Sequence, residues 1–142
     1  MLNISVNYWA VLAAAVLNMG LGALWFGPLF SKAWMREGGF SPGTMDDAMK
    51  KGIARSYALM AVGSLIMACT LAHAIVLWNA YAQSAGVVPG LMTAFWVWLG
   101  FVVPVTIGVV LWEGKSWMYW LITYGYYLIG MLLMGALLGA WN

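Results

Sequence analysis

Residues 56–112 read SYALMAVGSLIMACTLAHAIVLWNAYAQSAGVVPGLMTAFWVWLGFVVPVTIGVVLW, a run of 57 residues without one Asp, Glu, Lys or Arg. A membrane-spanning helix needs about 20 consecutive apolar residues, so this run holds two. The break between them falls where Asn79, Gln83, Ser84, Gly86 and Pro89 cluster. Pro89 suits the first turn of a helix, where its missing N–H costs nothing. Two further uncharged runs, 1–31 and 116–142, hold one helix each. The predicted spans are residues 8–29, 56–79, 89–112 and 117–140, with a charged loop over 31–55. The runs are continuously apolar and do not alternate, which argues against a β-barrel. The expected fold is an all-α integral membrane protein of one domain over 1–142: a four-transmembrane-helix bundle with a short amphipathic cytoplasmic helix between helices 1 and 2.

Composition agrees. Of 142 residues 65% are apolar and 7% charged, against about 45–50% and 25% in soluble chains, and the mean hydropathy is +0.89. These proportions exclude a nucleic-acid binder, a disordered chain and a secreted disulfide scaffold. The lone Cys69 permits no disulfide within the chain.

The few charges set the expected orientation. Lys32, Arg36, Lys50, Lys51 and Arg55 lie between the first two helices, and Lys115 lies in the turn between the last two. These segments fall on one side of the bundle. The other side carries no Lys or Arg, so both termini are expected away from the cytoplasm. Residues 1–7 lack the basic start of a cleavable signal, and the apolar run after them is too long for one, so the first helix is expected to remain. Aromatics are expected to mark both membrane surfaces: Tyr8, Trp9, Trp78, Tyr81 and Trp141 outside; Trp25, Phe26, Tyr57, Trp112, Trp117 and Trp120 inside.

Within the loop, Thr44 followed by Asp46 and Asp47 resembles a helix start. Met45, Met49 and Ile53 share a face, and Asp46–Lys50 and Asp47–Lys51 are four apart. A short amphipathic helix is predicted there, weakened at Gly52. Phe30, Trp34 and Met35 beside Lys32 and Arg36 place another segment at headgroup level.

Helices in lipid associate through close packing of small residues. Each helix has a small-residue stripe: Ala10, Ala14, Asn18 and Gly22 in the first, Ser64, Ala68 and Ala72 in the second. The third carries Gly100, Pro104 and Gly108, and the fourth Gly135 and Gly139. Every stripe can serve packing inside the bundle. The Gly135–Gly139 pair is the one assigned most readily to a homo-oligomer contact.

The segment Leu21-Gly-Ala-Leu-Trp-Phe-Gly-Pro-Leu-Phe-Ser-Lys-Ala-Trp34 resembles the first helix of the DUF1761 family. Trp98-Leu-Gly-Phe-Val-Val-Pro104 with Glu113-Gly-Lys is similar to its third helix and turn, and Gly125-Tyr-Tyr-Leu, Gly135 and Trp141 to its fourth. The resemblance covers nearly the whole chain. It implies a small four-helix membrane protein and supplies no catalytic residues. The expected location is a bacterial inner (plasma) membrane.

Polar residues inside a membrane are functional candidates by default. Asn18 lies near the middle of helix 1, where its amide serves either an interhelical hydrogen bond or a ligand. His73 is the single histidine, with Cys69 and Thr70 on its face. A metal site needs about four ligands, so no metal or cofactor is expected, and His73 reads as a neutral, hydrogen-bonded residue. Pro104 frees the carbonyl of Gly100 and predicts a kink. Tyr119, Thr123, Tyr126 and Tyr127 lie on roughly one side of helix 4. The hydroxyls of Tyr126 and Tyr127 are expected to meet Asn18 or Thr106, either as packing or as a pocket for an amphiphile with a polar head. Glu113 and Lys115 read as a hairpin ion pair or a solvated turn, with Arg36 or Arg55 as alternative partners for Glu113.

Three function classes follow. The first is a non-catalytic structural, accessory or lipid-binding protein, whose partners are lipids or another membrane protein. The second is a parallel homo-oligomeric transporter or channel whose pore uses Asn18 or the helix-4 tyrosines. The Lys/Arg bias argues against dual topology, and the absence of a mid-membrane acid argues against a small proton-coupled antiporter. The third, an enzyme, lacks any nucleophile–base arrangement, metal motif or phosphate loop, and no enzyme is expected.

Overall fold

The computed structural model describes residues 4–40 and 52–141. Four helices are long and apolar enough to cross a membrane: Tyr8–Leu29, Ile53–Ala82, Val87–Leu111 and Trp117–Ala140, here spans 1 to 4. No strand occurs among the described residues. The chain is an all-α membrane bundle. Span 2 is three residues longer at each end than the polar break suggested, and Gln83 closes it in a left-handed conformation at φ 51°. The predicted loop helix over 44–53 lies outside the described residues as far as position 51. The described loop helix is Ser31–Gly38, which ends at Gly39 in a left-handed conformation.

Two spans contain a widened turn next to a proline. In span 1 the Phe30 N–H reaches back five residues to the Trp25 carbonyl at 3.0 Å, and Pro28 lies inside this turn. In span 3 the widened turn covers Trp98–Val102, immediately before Pro104. Proline has no N–H to give and crowds the carbonyl four residues back, so the backbone there bonds with a longer period. The kink expected at Pro104 takes this form, followed by a break at Ile107.

The most extensive contact is that of the first half of span 3 on span 4. It is made backbone to backbone. A Cβ on Gly90 would overlap the Gly135 carbonyl oxygen, and one on Gly139 would overlap the Gly86 carbonyl oxygen. A Cβ on Gly135 would lie 2.8 Å from that of Ala94. The stripe that the sequence offered to a second copy is therefore occupied: Gly135 and Gly139 are buried against this chain's own span 3. The reason is that Gly86 and Gly90 at the start of span 3 form a matching smooth strip.

Span 4 is also the post on which the other elements hang. Three indoles converge on one of its turns. Trp25 Nε1 donates to the Ile122 carbonyl at 2.9 Å, Trp98 Nε1 to the Tyr124 carbonyl at 3.0 Å, and Trp34 Nε1 to Thr123 Oγ1 at 3.1 Å. Trp120, expected at a membrane surface, is buried, and its indole is tilted against that of Trp98, with ring centres 6.2 Å apart. At the opposite end Asn7 accepts from the N–H groups of Trp9 and Ala10, capping span 1, and donates to the Trp141 carbonyl at 3.0 Å.

The glycine seam yields a graded expectation. Gly135→Ala and Gly90→Ala should each lower stability by about 1–3 kcal/mol, the usual cost of overpacking. Gly20→Ala, whose Cβ meets nothing within 4 Å, should be neutral or stabilising by up to about 1 kcal/mol. Thermal unfolding of the three variants in one detergent checks this; equal midpoints would refute the seam.

Candidate functional site

The stripe of span 1 faces inward, and its one polar member, Asn18, is only 2% exposed. Asn18 Nδ2 donates to Ser64 Oγ of span 2 at 2.9 Å. The Tyr126 hydroxyl of span 4 donates to the Asn18 backbone carbonyl at 2.9 Å. Three spans thus meet at one residue. Glycines make the meeting fit. A Cβ on Gly22 would sit 2.9 Å from the Tyr126 hydroxyl, and one on Gly130 would sit 2.5 Å from Asn18 Oδ1.

Asn18 Oδ1 is buried and has no donor among the described residues. Leaving a buried carbonyl-type acceptor unpaired costs about 1–3 kcal/mol, and surrounding hydrocarbon offers no remedy. The same carboxamide lines a cavity of about 160 Å³ between spans 1, 2 and 4, together with Ser64, Met67 and Tyr127. Leu59, Met60 and Gly63 form the side of this cavity that is exposed to the surroundings. Met60 also borders a second space of about 270 Å³, which runs past Met19 and Tyr126 to Gly27 and Tyr57. Flexible methionines on these walls can adapt to different contents.

The other sequence candidates divide between this cavity and other places. Tyr127 lines the cavity, and its ring lies 4.9 Å from that of Tyr126. Thr106 does not meet the tyrosines: its hydroxyl accepts from Trp120 Nε1 at 3.0 Å and donates to the Val102 carbonyl at 2.6 Å. Thr123 accepts the Trp34 indole. His73 Nδ1 donates to the Cys69 carbonyl one turn back, at 2.8 Å, and its ring meets Tyr8 edge-on. That places it nine residues from Ser64 along span 2, about 14 Å at helical rise.

The hairpin ion pair does not form. Lys115 Nζ instead donates to the Gly38 carbonyl at 2.6 Å and lies over the rings of Phe40 and Tyr119, at 5.2 and 5.6 Å from their centres. Beside it, Ser116 caps span 4 and donates to Glu37 Oε2 at 2.7 Å. The ion pair found among the described residues joins Arg36 and Glu37 at 3.6 Å, not Glu113 to any base. The end of a helix supplies an unpaired carbonyl, and at Gly38 that carbonyl competes successfully for the ammonium. Lys115 thereby pins the loop helix to span 4.

Sequence reasoning missed two features. Ser64 was read as a small residue, yet it is the partner of Asn18. The signal was available, since Asn18 and Ser64 are the sole polar members of facing stripes. The indole bonds to Ile122–Tyr124 carried no such signal, because tryptophan near a span end also serves as an interface anchor.

A four-span all-α membrane bundle with a polar notch at its centre is thus the class that fold and site define. Residues 9–139 match the family described as Protein of unknown function (DUF1761), and the chain belongs to that family. Comparison with curated proteins and with solved structures returns no match.

Gly130 and Asn18 should be energetically coupled. Gly130→Ala pushes on the carboxamide oxygen and draws Nδ2 from Ser64, whereas in an Asn18→Ala background the added methyl meets Leu21 at an ordinary contact distance of 3.7 Å. A double-mutant cycle on thermal stability should return a coupling of about 0.5–3 kcal/mol, the range for residues in contact. Additive effects would show that the oxygen does not occupy the place of the Gly130 side chain.

Proposed function

We propose that this chain is a non-catalytic membrane protein that holds a lipid or another small amphiphile in the groove between spans 1, 2 and 4. The observation that carries this reading is the buried, donor-less Asn18 oxygen beside a cavity. A polar atom that only helped helices to pack would be served by a neighbouring helix, as Nδ2 is by Ser64. An atom kept for a ligand is expected to lack a partner in the chain alone.

Other features fit the same reading. The cavity borders the exposed Leu59, Met60 and Gly63, so an apolar molecule enters from the bilayer without crossing water. Asn18 is enclosed by its own chain and does not face a neighbouring copy, which favours holding over conduction through an oligomeric pore. A second copy or another membrane protein would have to use an outward surface such as that of Phe101 and Val105 on span 3, because the glycine seam is taken. In this reading the protein resides in a bacterial inner membrane, with the Lys/Arg-bearing end in the cytoplasm and both termini outside.

Native mass spectrometry of the protein extracted in its own lipids tests the proposal. The expected spectrum shows one molecule of discrete mass retained per chain. Gly63→Leu, which fills the cavity without removing a polar group, should cut that retained fraction at least tenfold. A bare chain, or a heterogeneous lipid load unchanged by Gly63→Leu, would refute it.

A further inference from the structure

We infer that the groove between spans 2 and 3 is a second binding site, one that takes a flat, uncharged, ring-bearing lipid from the bilayer. It shares no wall residue with the cavity beside Asn18 and does not depend on it.

The groove follows from how span 3 spends its small residues. Gly90 and Ala94 are taken up by the close approach to Gly135 of span 4. Towards span 2 the same helix turns the bulky Met92 and Trp96, and a space of about 630 Å³ remains between them and span 2. Small-molecule sites measure roughly 300–1,000 Å³. The space runs from Tyr81, one residue before the end of span 2, to Val97, ten residues into span 3. Ten helical residues rise about 15 Å, half of a hydrocarbon core of about 30 Å, so the groove is one leaflet deep. Leu77 and Met92 on its flank are exposed, which opens it sideways to lipid.

Chemistry decides the charge of the occupant. Residues 56–112, which include every residue of this wall, carry no Asp, Glu, Lys or Arg. An ionic group would be buried there without a counter-charge. The Thr93 hydroxyl is already engaged, donating to the Pro89 carbonyl at 2.8 Å.

The aromatic residues decide the shape. Trp78 and Tyr81 line one wall and Trp96 the other. Trp78 and Tyr81 pack on each other with ring centres 5.9 Å apart, and Trp96 packs on Phe95 of its own span at 6.1 Å. Among the described residues no ring pair crosses from one wall to the other. Aromatic rings pair at centre distances of about 4.5–7 Å, so a flat ring seated between the walls supplies the pairing that crosses the groove. Met92 adds polarisable sulfur, which favours a ring edge. An acyl chain fits any apolar groove, gains no ring pairing and loses more conformational freedom when it is held.

Fluorine NMR of the full chain in nanodiscs, with fluorotryptophan in place of tryptophan, tests this. The probes are naphthalene, decalin and decane, which have the same number of carbons and differ in flatness and ring character. The Trp78 and Trp96 signals, assigned by Trp78→Phe and Trp96→Phe, should saturate with naphthalene at about one-fifth of the bilayer concentration needed for decalin or decane, the ratio that one aromatic pair supplies. Ala74→Phe, which sets a ring of the chain's own into the groove, should abolish the response to naphthalene. Gly63→Leu, on the wall of the Asn18 cavity, should leave it unchanged, so the two sites stand or fall separately. Equal saturation by naphthalene and decane in the native chain would overturn the ring assignment and leave the groove to acyl chains. A naphthalene response that survives Ala74→Phe would place binding elsewhere and also overturn it. Signals that ignore all three compounds would overturn the site, and if they shift when two chains share a disc, the groove belongs to a second copy.

Discussion

The contact of Gly86 and Gly90 on Gly135 and Gly139 is the constraint from which the rest of the bundle follows. Lipid tails are as apolar as the helices they surround, so burial exerts little pull between spans, and van der Waals contact at short range must replace it. Such contact is available only where side chains are missing. Span 3 has it at its first half, where backbone meets backbone, and beyond Trp98 none of its residues is fully buried. The seam therefore fixes where span 3 lies on span 4 and brings Trp98 into reach of the Tyr124 carbonyl. The fourth span, held along one side, then offers its turn at Ile122–Tyr124 to Trp25 and Trp34. These bonds tie the widened turn of span 1 and the loop helix to the same post.

The polar centre obeys the same constraint with one exception. Glycines at positions 22 and 130 make room for a tyrosine hydroxyl and a carboxamide, as those of the seam make room for carbonyls. Among the buried side-chain polar atoms of the described residues, only Asn18 Oδ1 has no partner within the chain. In a bilayer an unsatisfied acceptor cannot borrow a hydrogen bond from solvent, so the exception at Oδ1 is costly in the chain on its own. The function proposed above gives that cost a use.

Spans were legible because charge and apolar length are properties of the sequence alone, and span 4 begins and ends where the apolar run does. The extra residues of span 2 were not, because Asn79 reads as a breaker although its carbonyl simply accepts the cap N–H of Gln83. Small-residue stripes were legible as faces, but which face meets which was not. Gly135 and Gly139 looked free until Gly86 and Gly90 appeared opposite. Asn18 stood out as a site residue through its polarity at mid-span. The separation of Thr106, Thr123 and His73 from it depends on helix rotation and on which bonds the nearby indoles and carbonyls make, and residue spacing does not encode that. Lys115 had a nearby acid in sequence, but the folded chain sets it against the end of the loop helix.

Solid-state NMR of asparagine-labelled protein in its native lipids examines the vacant hydrogen-bonding position of Asn18 most directly. The account predicts a cross-peak between the Asn18 carboxamide and protons that belong neither to the chain nor to water, lost when the sample is stripped and restored when the extract is returned. Cross-peaks to Ser64 and Gly130 alone, unchanged by stripping, would contradict it and leave Asn18 as a residue of packing only.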